Sequence, residues 1–243
     1  LEEYTGDSPK ADLKRTMAVE LIAICGADGA EVASTARALS LRATSPGMLS
    51  RIAWEQAQCF DASAGARLGL VAKDEAELRS KLDQLATLIE GAPSKTFATP
   101  DGSAFGLGAK TGGVGFVFPG QGSQYLRMGA DLAMGFELAL GTWDRAADVD
   151  LGTDERVDQV VFPISRFSDE ERAADEAKLR ATEWAQPAIG LTSASLLGMM
   201  RALGVQPDAV AGHSFGEITA LHAAGVLSET DMLRIARRRG ELM

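Results

Sequence analysis

Ser214 lies in a segment whose residue types and spacing fit a catalytic nucleophile. Residues 212–216 read GHSFG, which is the G-x-S-x-G pattern of a nucleophile elbow, where a sharp turn between a strand and a helix exposes the serine hydroxyl. The apolar residues 209–211 predict the strand, and residues 215–224 predict the helix. Because the N-terminus of a helix favours negative charge, we expect the N–H of Phe215 to stabilise an oxyanion. The pattern predicts covalent catalysis through Ser214.

The general base that Ser214 needs is harder to find. An unassisted serine hydroxyl is a poor nucleophile, and the chain contains 2 histidines, His213 and His222. His213 adjoins the serine and is expected to project from the turn in a different direction. His222 lies eight positions beyond Ser214, which is about 12 Å along a helix that rises about 1.5 Å per residue. We expect structural roles for both imidazoles, so neither predicts a base for Ser214.

The composition argues against several classes of protein. The 243 residues carry 24 Lys and Arg against 34 Asp and Glu, for a net charge of −10. Binding to nucleic acid needs a basic surface and is therefore not expected. Since the sequence has no apolar run of about 18 residues and no hydrophobic signal region, it predicts neither a membrane span nor export. Cys25 and Cys59 are expected to be buried thiols in a reducing cytoplasm.

Residues 19–91 predict a small α/β subdomain, and the polar residues 1–18 are expected to form a linker before it. Its elements follow the order β-α-α-β-α, with strands at 19–25 and 66–72 and helices at 30–41, 46–60 and 75–91. Asp74 is the expected cap of the third helix. Residues 92–112 are rich in Gly, Pro, Ser and Thr, and they predict a connection without regular structure.

Residues 113–243 predict a second region in which strands and helices alternate. The predicted strands lie at 114–118, 160–162 and 209–211. The predicted helices run from a capping box at Ser168 and Glu171 to about Trp184, from Pro187 to Gly204, over 215–224, and onward from Ser228. This alternation favours an α/β fold with a mainly parallel sheet.

Four segments of the second region resemble malonyl/acyl-CoA:acyl-carrier-protein transferases. They read FVFPGQGSQ, QPAIG, GHSFGE and RRRGELM, at 116–124, 186–190, 212–217 and 237–243. Their order is similar to that in the acyltransferase domains of type I polyketide synthases. The resemblance implies an α/β-hydrolase-like core, of which residues 113–243 would be the N-terminal part. The subdomain at 19–91 is similar to the linker between ketosynthase and acyltransferase. The sequences at 182–190 and 212–227 most resemble those of iterative enediyne and polyunsaturated-fatty-acid synthases.

The resemblance assigns roles in catalysis to three residues. Ser214 would carry the acyl group. The backbone N–H groups of Gln121 and Phe215 would form the oxyanion hole. The catalytic histidine of the family would lie beyond residue 243, in a C-terminal remainder of the domain. From the residues alone, the segment around Gln121 remains open to interpretation as a simple tight turn.

The resemblance also implies a set of substrate-binding residues. Arg239 would pair with the free carboxylate of a malonyl-type group, because a planar guanidinium binds a carboxylate through two hydrogen bonds. Gln186 would line the site, and His213 is a further candidate. Gln186 has an alternative interpretation as a helix-start residue. Arg237 and Arg238 are expected to face solvent.

The implied reaction is a two-step transfer in polyketide biosynthesis. Ser214 would take the acyl group from malonyl-CoA or a related acyl-CoA and pass it to the phosphopantetheine thiol of an acyl carrier protein. No cofactor or metal is implied, since the CoA thioester is a substrate. The implied partners are the carrier protein, an adjoining ketosynthase and the C-terminal remainder. Two alternatives remain open, a serine esterase or thioesterase of α/β-hydrolase type and a non-catalytic fragment of a megasynthase.

Overall fold

The structure is a computed structural model that describes residues 18–108 and 112–243. The chain divides into two compact units, residues 1–111 and 112–243. Apart from Ala18, the linker predicted at 1–18 lies outside the described residues. Among the helices of the described ranges, none is both long enough and apolar enough to cross a membrane.

The first unit contains an antiparallel sheet with the strand order β1-β2-β4-β3. Its elements are β1 (Glu20–Gly26), α1 (Gly29–Arg42), α2 (Met48–Cys59), β2 (Ala66–Ala72), α3 (Glu75–Gly91), β3 (Phe97–Ala98) and β4 (Ala104–Leu107). Alternate residues of β1 and β2 are buried, as expected for strands that present one face to a core. The predicted order β-α-α-β-α is confirmed as far as α3.

Helix caps set the starts of α1 and α3. The Asp28 carboxylate accepts a hydrogen bond from the Glu31 N–H at 3.0 Å, and the Asp74 carboxylate accepts one from the Glu77 N–H at 2.8 Å. Each aspartate thereby satisfies a backbone donor that the first turn of a helix leaves without a partner. The cap predicted at Asp74 is confirmed.

Two expectations for the first unit are wrong. Residues 92–112 do contain regular structure, because β4 pairs with β2 and buries Phe105. Both cysteines are free, but Cys59 is exposed and Cys25 is only partly buried.

The second unit contains a pair of parallel strands among helices. The strands are β5 (Gly115–Phe118) and β6 (Ala209–Gly212), with Phe118 opposite Gly212. The helices are α4 (Ala130–Gly135), α5 (Glu137–Ala147), α6 (Val157–Val161), α7 (Asp169–Arg180), α8 (Thr182–Ala202), α9 (Gly216–Ala223) and α10 (Glu229–Glu241). The parallel arrangement predicted for the sheet holds for this pair. The α/β class is therefore correct for a chain whose other sheet is antiparallel.

Two predicted elements of the second unit are corrected. The strand expected at 160–162 does not form, because residues 160 and 161 belong to helix α6, which buries Val157, Val160 and Val161 at helical spacing. The helix expected to begin at Pro187 instead begins at Thr182, so the proline lies inside α8. The capping box before α7 is confirmed, because the Ser168 hydroxyl accepts a hydrogen bond from the Glu171 N–H at 3.2 Å.

Candidate active site

A strained turn holds Ser214 between β6 and α9. Ser214 has φ 55°, a left-handed conformation that costs a non-glycine residue about 1–3 kcal/mol. The carbonyl oxygen of His213 accepts a hydrogen bond from the Gly216 N–H at 2.9 Å, and that of Ser214 accepts one from the Glu217 N–H at 3.1 Å. These bonds hold the turn, and Ser214 is exposed. The structure has the nucleophile elbow that the sequence predicts.

Both glycines of the elbow are required by close packing. A Cβ on Gly216 would lie 2.1 Å from the carbonyl oxygen of Phe118, at the end of β5. A Cβ on Gly212 would lie 2.0 Å from the carbonyl carbon of Gly216. Since real Cβ atoms do not approach so closely, the turn can form only with glycine at these two positions.

The loop that follows β5 lies directly against the elbow. A Cβ on Gly120 would lie 2.6 Å from the His213 carbonyl oxygen and 3.4 Å from the Ser214 Cβ. The His213 N–H also donates a hydrogen bond to the Phe118 carbonyl at 3.2 Å. The segment is thus a turn after a strand, and that turn packs against Ser214.

Two backbone donors near the elbow are free. Among the residues that the structure describes, none accepts a hydrogen bond from the backbone N–H of Gln121 or of Phe215. The Phe215 side chain is fully buried, with Cζ 3.1 Å from the position of a Cβ on Gly190 of α8. The Gln121 side chain donates a hydrogen bond to the Thr182 hydroxyl at 3.3 Å. The two free N–H groups thus belong to residues that are anchored to α8.

Helix α10 packs closely on the first turns of α8. A Cβ on Gly240 would lie 2.4 Å from the Glu183 Cα. Pro187 has no N–H, so it leaves the Glu183 carbonyl without its usual helical donor. Arg237 replaces that donor with a hydrogen bond of 3.2 Å from Nη1, and its guanidinium carbon lies 4.3 Å from the ring centroid of Trp184.

Two of the three consecutive arginines of α10 share one carboxylate. Arg237 and Arg238 both form ion pairs with Glu241 and hold the pKa of its carboxyl group below its usual range. The side chain of Arg237 is 13% exposed, so the expectation that it faces solvent is wrong. That of Arg238 is 70% exposed, as expected.

The third arginine, Arg239, has a neutral partner. Its Nη1 donates a hydrogen bond of 2.9 Å to Oε1 of Gln186, whose side chain is fully buried. No Asp or Glu within the described ranges forms an ion pair with Arg239. The interpretation of Gln186 as a helix-start residue is wrong, since it lies inside α8 and is bonded to α10. The structure therefore joins two residues that the resemblance assigns to one substrate site.

Comparisons with known proteins connect this geometry to a family. Residues 115–243 match the family described as "Acyl transferase domain", and the match covers more than half of the chain. The chain belongs to the acyl transferase domain family. The resemblance derived from its four segments is confirmed at this level, and so is the α/β fold class.

Individual relatives agree with the family match. The polyketide synthase GfsA of Streptomyces halstedii is 35% identical over 178 residues, which are 73% of this chain and 2% of that protein. A malonyl CoA-acyl carrier protein transacylase of Bacillus subtilis strain 168 is 37% identical over 130 residues, which are 54% of this chain and 37% of that protein. The acyltransferase domain from module 8 of the salinomycin polyketide synthase superposes with a TM-score of 0.68 at 26% identity, covering 93% of this chain and 50% of that one.

The chain thus spans half or less of the length of these relatives. The assignment to the iterative enediyne or polyunsaturated-fatty-acid type stays a prediction.

The described part of this acyl transferase chain does not pair Ser214 with a base. No described side chain forms a hydrogen bond with the Ser214 hydroxyl. His222 directs its Nδ1 to the Leu227 carbonyl oxygen at 3.0 Å, which fits the structural role predicted for it. His213 is exposed, and its Nδ1 lies 3.3 Å from the position of a Cβ on Gly120. Neither imidazole is bonded to the serine.

The sequence reasoning missed the residues that seat α10 on α8. Arg237, Gly240 and the Glu183 carbonyl form this contact. One local signal was available, because a proline inside a helical pattern frees the carbonyl of the residue four positions earlier. The side chain that donates a hydrogen bond to this carbonyl is that of Arg237, which lies 54 residues away in the chain. No local pattern indicates this contact.

Proposed function

We propose that this acyl transferase chain carries a malonyl-type acyl group on Ser214 and transfers it to the phosphopantetheine thiol of an acyl carrier protein. The observation that carries the proposal is the left-handed, exposed serine beside two free backbone N–H groups, those of Gln121 and Phe215. Free donors fixed before the reaction stabilise a tetrahedral oxyanion without further reorganisation. The relatives named as polyketide synthase and malonyl CoA-acyl carrier protein transacylase support this choice of reaction.

The reaction has two balanced steps. In the first, the Ser214 oxygen attacks the thioester carbonyl of the acyl-CoA, its proton passes to a base, and the CoA thiolate leaves as the thiol after protonation. In the second, the phosphopantetheine thiol attacks the seryl ester, and the Ser214 oxygen regains a proton. In both steps the carbonyl oxygen would accept hydrogen bonds from the Gln121 and Phe215 N–H groups. We propose that the base is supplied by residues outside the described ranges.

The preference for a carboxylated acyl group would come from Arg239. Its guanidinium has no carboxylate partner within the described ranges, lies partly buried, and is bonded to the neutral amide of Gln186. A guanidinium without a carboxylate of its own can bind one from a ligand through two parallel hydrogen bonds. A neutral acetyl group would gain nothing from this charge. His213, next to the nucleophile, is proposed only to line the acyl site.

The remaining assignments follow from the same proposal. Residues 19–91 would be the linker subdomain that adjoins a ketosynthase, and residues 113–243 would belong to the acyltransferase domain. The substrate would be malonyl-CoA or a related acyl-CoA. The protein would act in the cytoplasm without a resident cofactor, since the carrier protein brings the phosphopantetheine group.

Transfer and hydrolysis can be separated by following the fate of the acyl-enzyme. The protein as its natural host produces it is incubated with malonyl-CoA, freed of excess CoA ester, and divided between buffer and buffer with a phosphopantetheine-bearing carrier protein. We expect the seryl ester to persist in buffer and to be lost rapidly to the carrier thiol, with malonyl-carrier as the product. Loss to water at the same rate in both samples would contradict the transferase proposal and indicate a hydrolase. Failure to acylate at all would favour a structural role.

A further inference from the structure

We propose that Gln186 is a positioning residue whose buried amide oxygen fixes the guanidinium of Arg239, and that this contact sets the preference for carboxylated over neutral acyl groups. This inference rests on the proposed function and deepens it. It adds a residue that acts through Arg239 rather than by touching the reacting atoms.

The orientation of the Gln186 amide is determined by its neighbours. Oε1 accepts the hydrogen bond from Arg239, and Nε2 donates to the thioether sulfur of Met243 at 3.6 Å. The reverse orientation would place the NH₂ group against the guanidinium, where two donors would meet. Since the side chain is fully buried, no solvent would compensate an amide oxygen left without a partner. The buried amide therefore holds one orientation, in which its oxygen accepts from Arg239.

A neutral acceptor suits this position better than a carboxylate. Arg166 of this chain illustrates the alternative, because it is bound through two hydrogen bonds by Asp175. Such a pair uses both prongs of the guanidinium and cancels its charge. Gln186 takes only Nη1 of Arg239 and leaves the charge and the remaining N–H groups available to a ligand carboxylate.

The helix contact beneath Arg239 makes this positioning effective. Gly240 allows α10 to approach the Glu183 backbone closely, and Arg237 binds the Glu183 carbonyl freed by Pro187. Gln186 directly precedes that proline, so the same turn of α8 that seats α10 also holds the Arg239 side chain. An arginine side chain loses rotamer entropy when it is ordered. With this cost met in the folded protein, less is lost when substrate binds.

The test compares malonyl-CoA with acetyl-CoA as donors to Ser214 in the protein as its natural host produces it. Gln186→Met keeps the length of the side chain and removes the acceptor. We expect its kcat/KM ratio for malonyl over acetyl to fall about 10- to 100-fold, because the lost contact is a hydrogen bond to a charged group. Gln84→Met, an exposed glutamine of α3, is the matched control and should leave the ratio unchanged.

Two further variants separate positioning from general packing. Gln186→Glu fills the same volume but pairs with the charge of Arg239, so it should also lower the malonyl preference. In the double variant Gln186→Met/Arg239→Leu, the ratio should fall no further than in Arg239→Leu alone, because Gln186 acts through that arginine. Retention of the preference in both Gln186 variants, or additive losses in the double variant, would overturn the inference. A wild-type protein that is not acylated by either donor would instead overturn the proposed function.

Discussion

The backbone at Ser214 shows how neighbouring residues can hold a single residue in an unfavourable conformation. The left-handed φ of 55° is unfavourable for serine, and it persists because Gly212 and Gly216 allow the chain to pack more closely than any side chain would permit. The same turn leaves the Phe215 N–H without an acceptor among the described residues. Within residues 18–108 and 112–243, no other serine has a positive φ.

Arg239 carries the first prediction at this scale. Arg239→Ala should lower kcat/KM for malonyl-CoA ~30- to 150-fold. This corresponds to about 2–3 kcal/mol of transition-state stabilisation, because a charge-assisted pair with the substrate carboxylate is lost. Acetyl-CoA should be affected much less. Acylation rates with both donors measure the difference, and Arg238→Ala is the control because that side chain is exposed and bound to Glu241. Equal losses with both donors would indicate that Arg239 has only a structural role.

Sequence reasoning reached part of this residue-scale picture. The spacing of GHSFG predicted the elbow, because local backbone geometry depends on residues adjacent in the chain. The bond between Gln186 and Arg239 was not predicted, because the two residues lie 53 positions apart and meet only when α10 packs on α8. The burial of Arg237 was missed for the same reason.

At the scale of elements, helix α8 contacts each of the segments that carry the candidate site. Its first residue, Thr182, accepts a hydrogen bond from the Gln121 side chain. Further along, Gln186 binds Arg239, and Gly190 makes room for both the Phe215 ring and the Met232 methyl group, 3.1 and 3.4 Å from the position of its missing Cβ. The helix thereby contacts the loop after β5, the start of α9 and the face of α10.

Gly240 provides the prediction for this scale. In Gly240→Ala the new Cβ would meet the Glu183 Cα at 2.4 Å and the Thr182 carbonyl oxygen at 2.6 Å, so α10 must shift away from α8. We expect a loss of about 1–3 kcal/mol in the free energy of unfolding, measured by denaturant titration.

The matched control for Gly240→Ala is Gly198→Ala, in α8. A Cβ at Gly198 would meet nothing within 4 Å, so the alanine should stabilise the helix by up to about 1 kcal/mol. Similar effects of the two substitutions would contradict the close packing of α10 on α8.

The elements themselves differ in how well their sequences predict them. Strands β1 and β2 and helix α3 follow from alternation, helical spacing and a capping aspartate, all of which are local. Strand β4 was missed because it is short and contains Gly106. The sequence of helix α6 predicts a strand because a short apolar run has no distinctive period. The start of α8 was misplaced because proline usually favours the first turn of a helix.

At the scale of the whole molecule, the candidate site contains Ser214 in its turn, the free N–H groups of Gln121 and Phe215, and Arg239 bonded to Gln186, but no described base bonded to Ser214. The chain covers 50% of the solved acyltransferase domain from the salinomycin synthase. The composition and the G-x-S-x-G spacing predicted the class of chemistry. No pattern in this sequence identifies the residue that would act as the base for Ser214.

The central claim, that Ser214 carries the acyl group, is tested most directly by intact-mass spectrometry under denaturing conditions. The protein as its natural host produces it is incubated with malonyl-CoA, alongside Ser214→Ala and the control Ser80→Ala, an exposed serine of α3. The account predicts the added mass of one malonyl group on the wild type and on Ser80→Ala, located by peptide mapping to Ser214, and no added mass on Ser214→Ala. Malonylation that persists in Ser214→Ala would contradict the account.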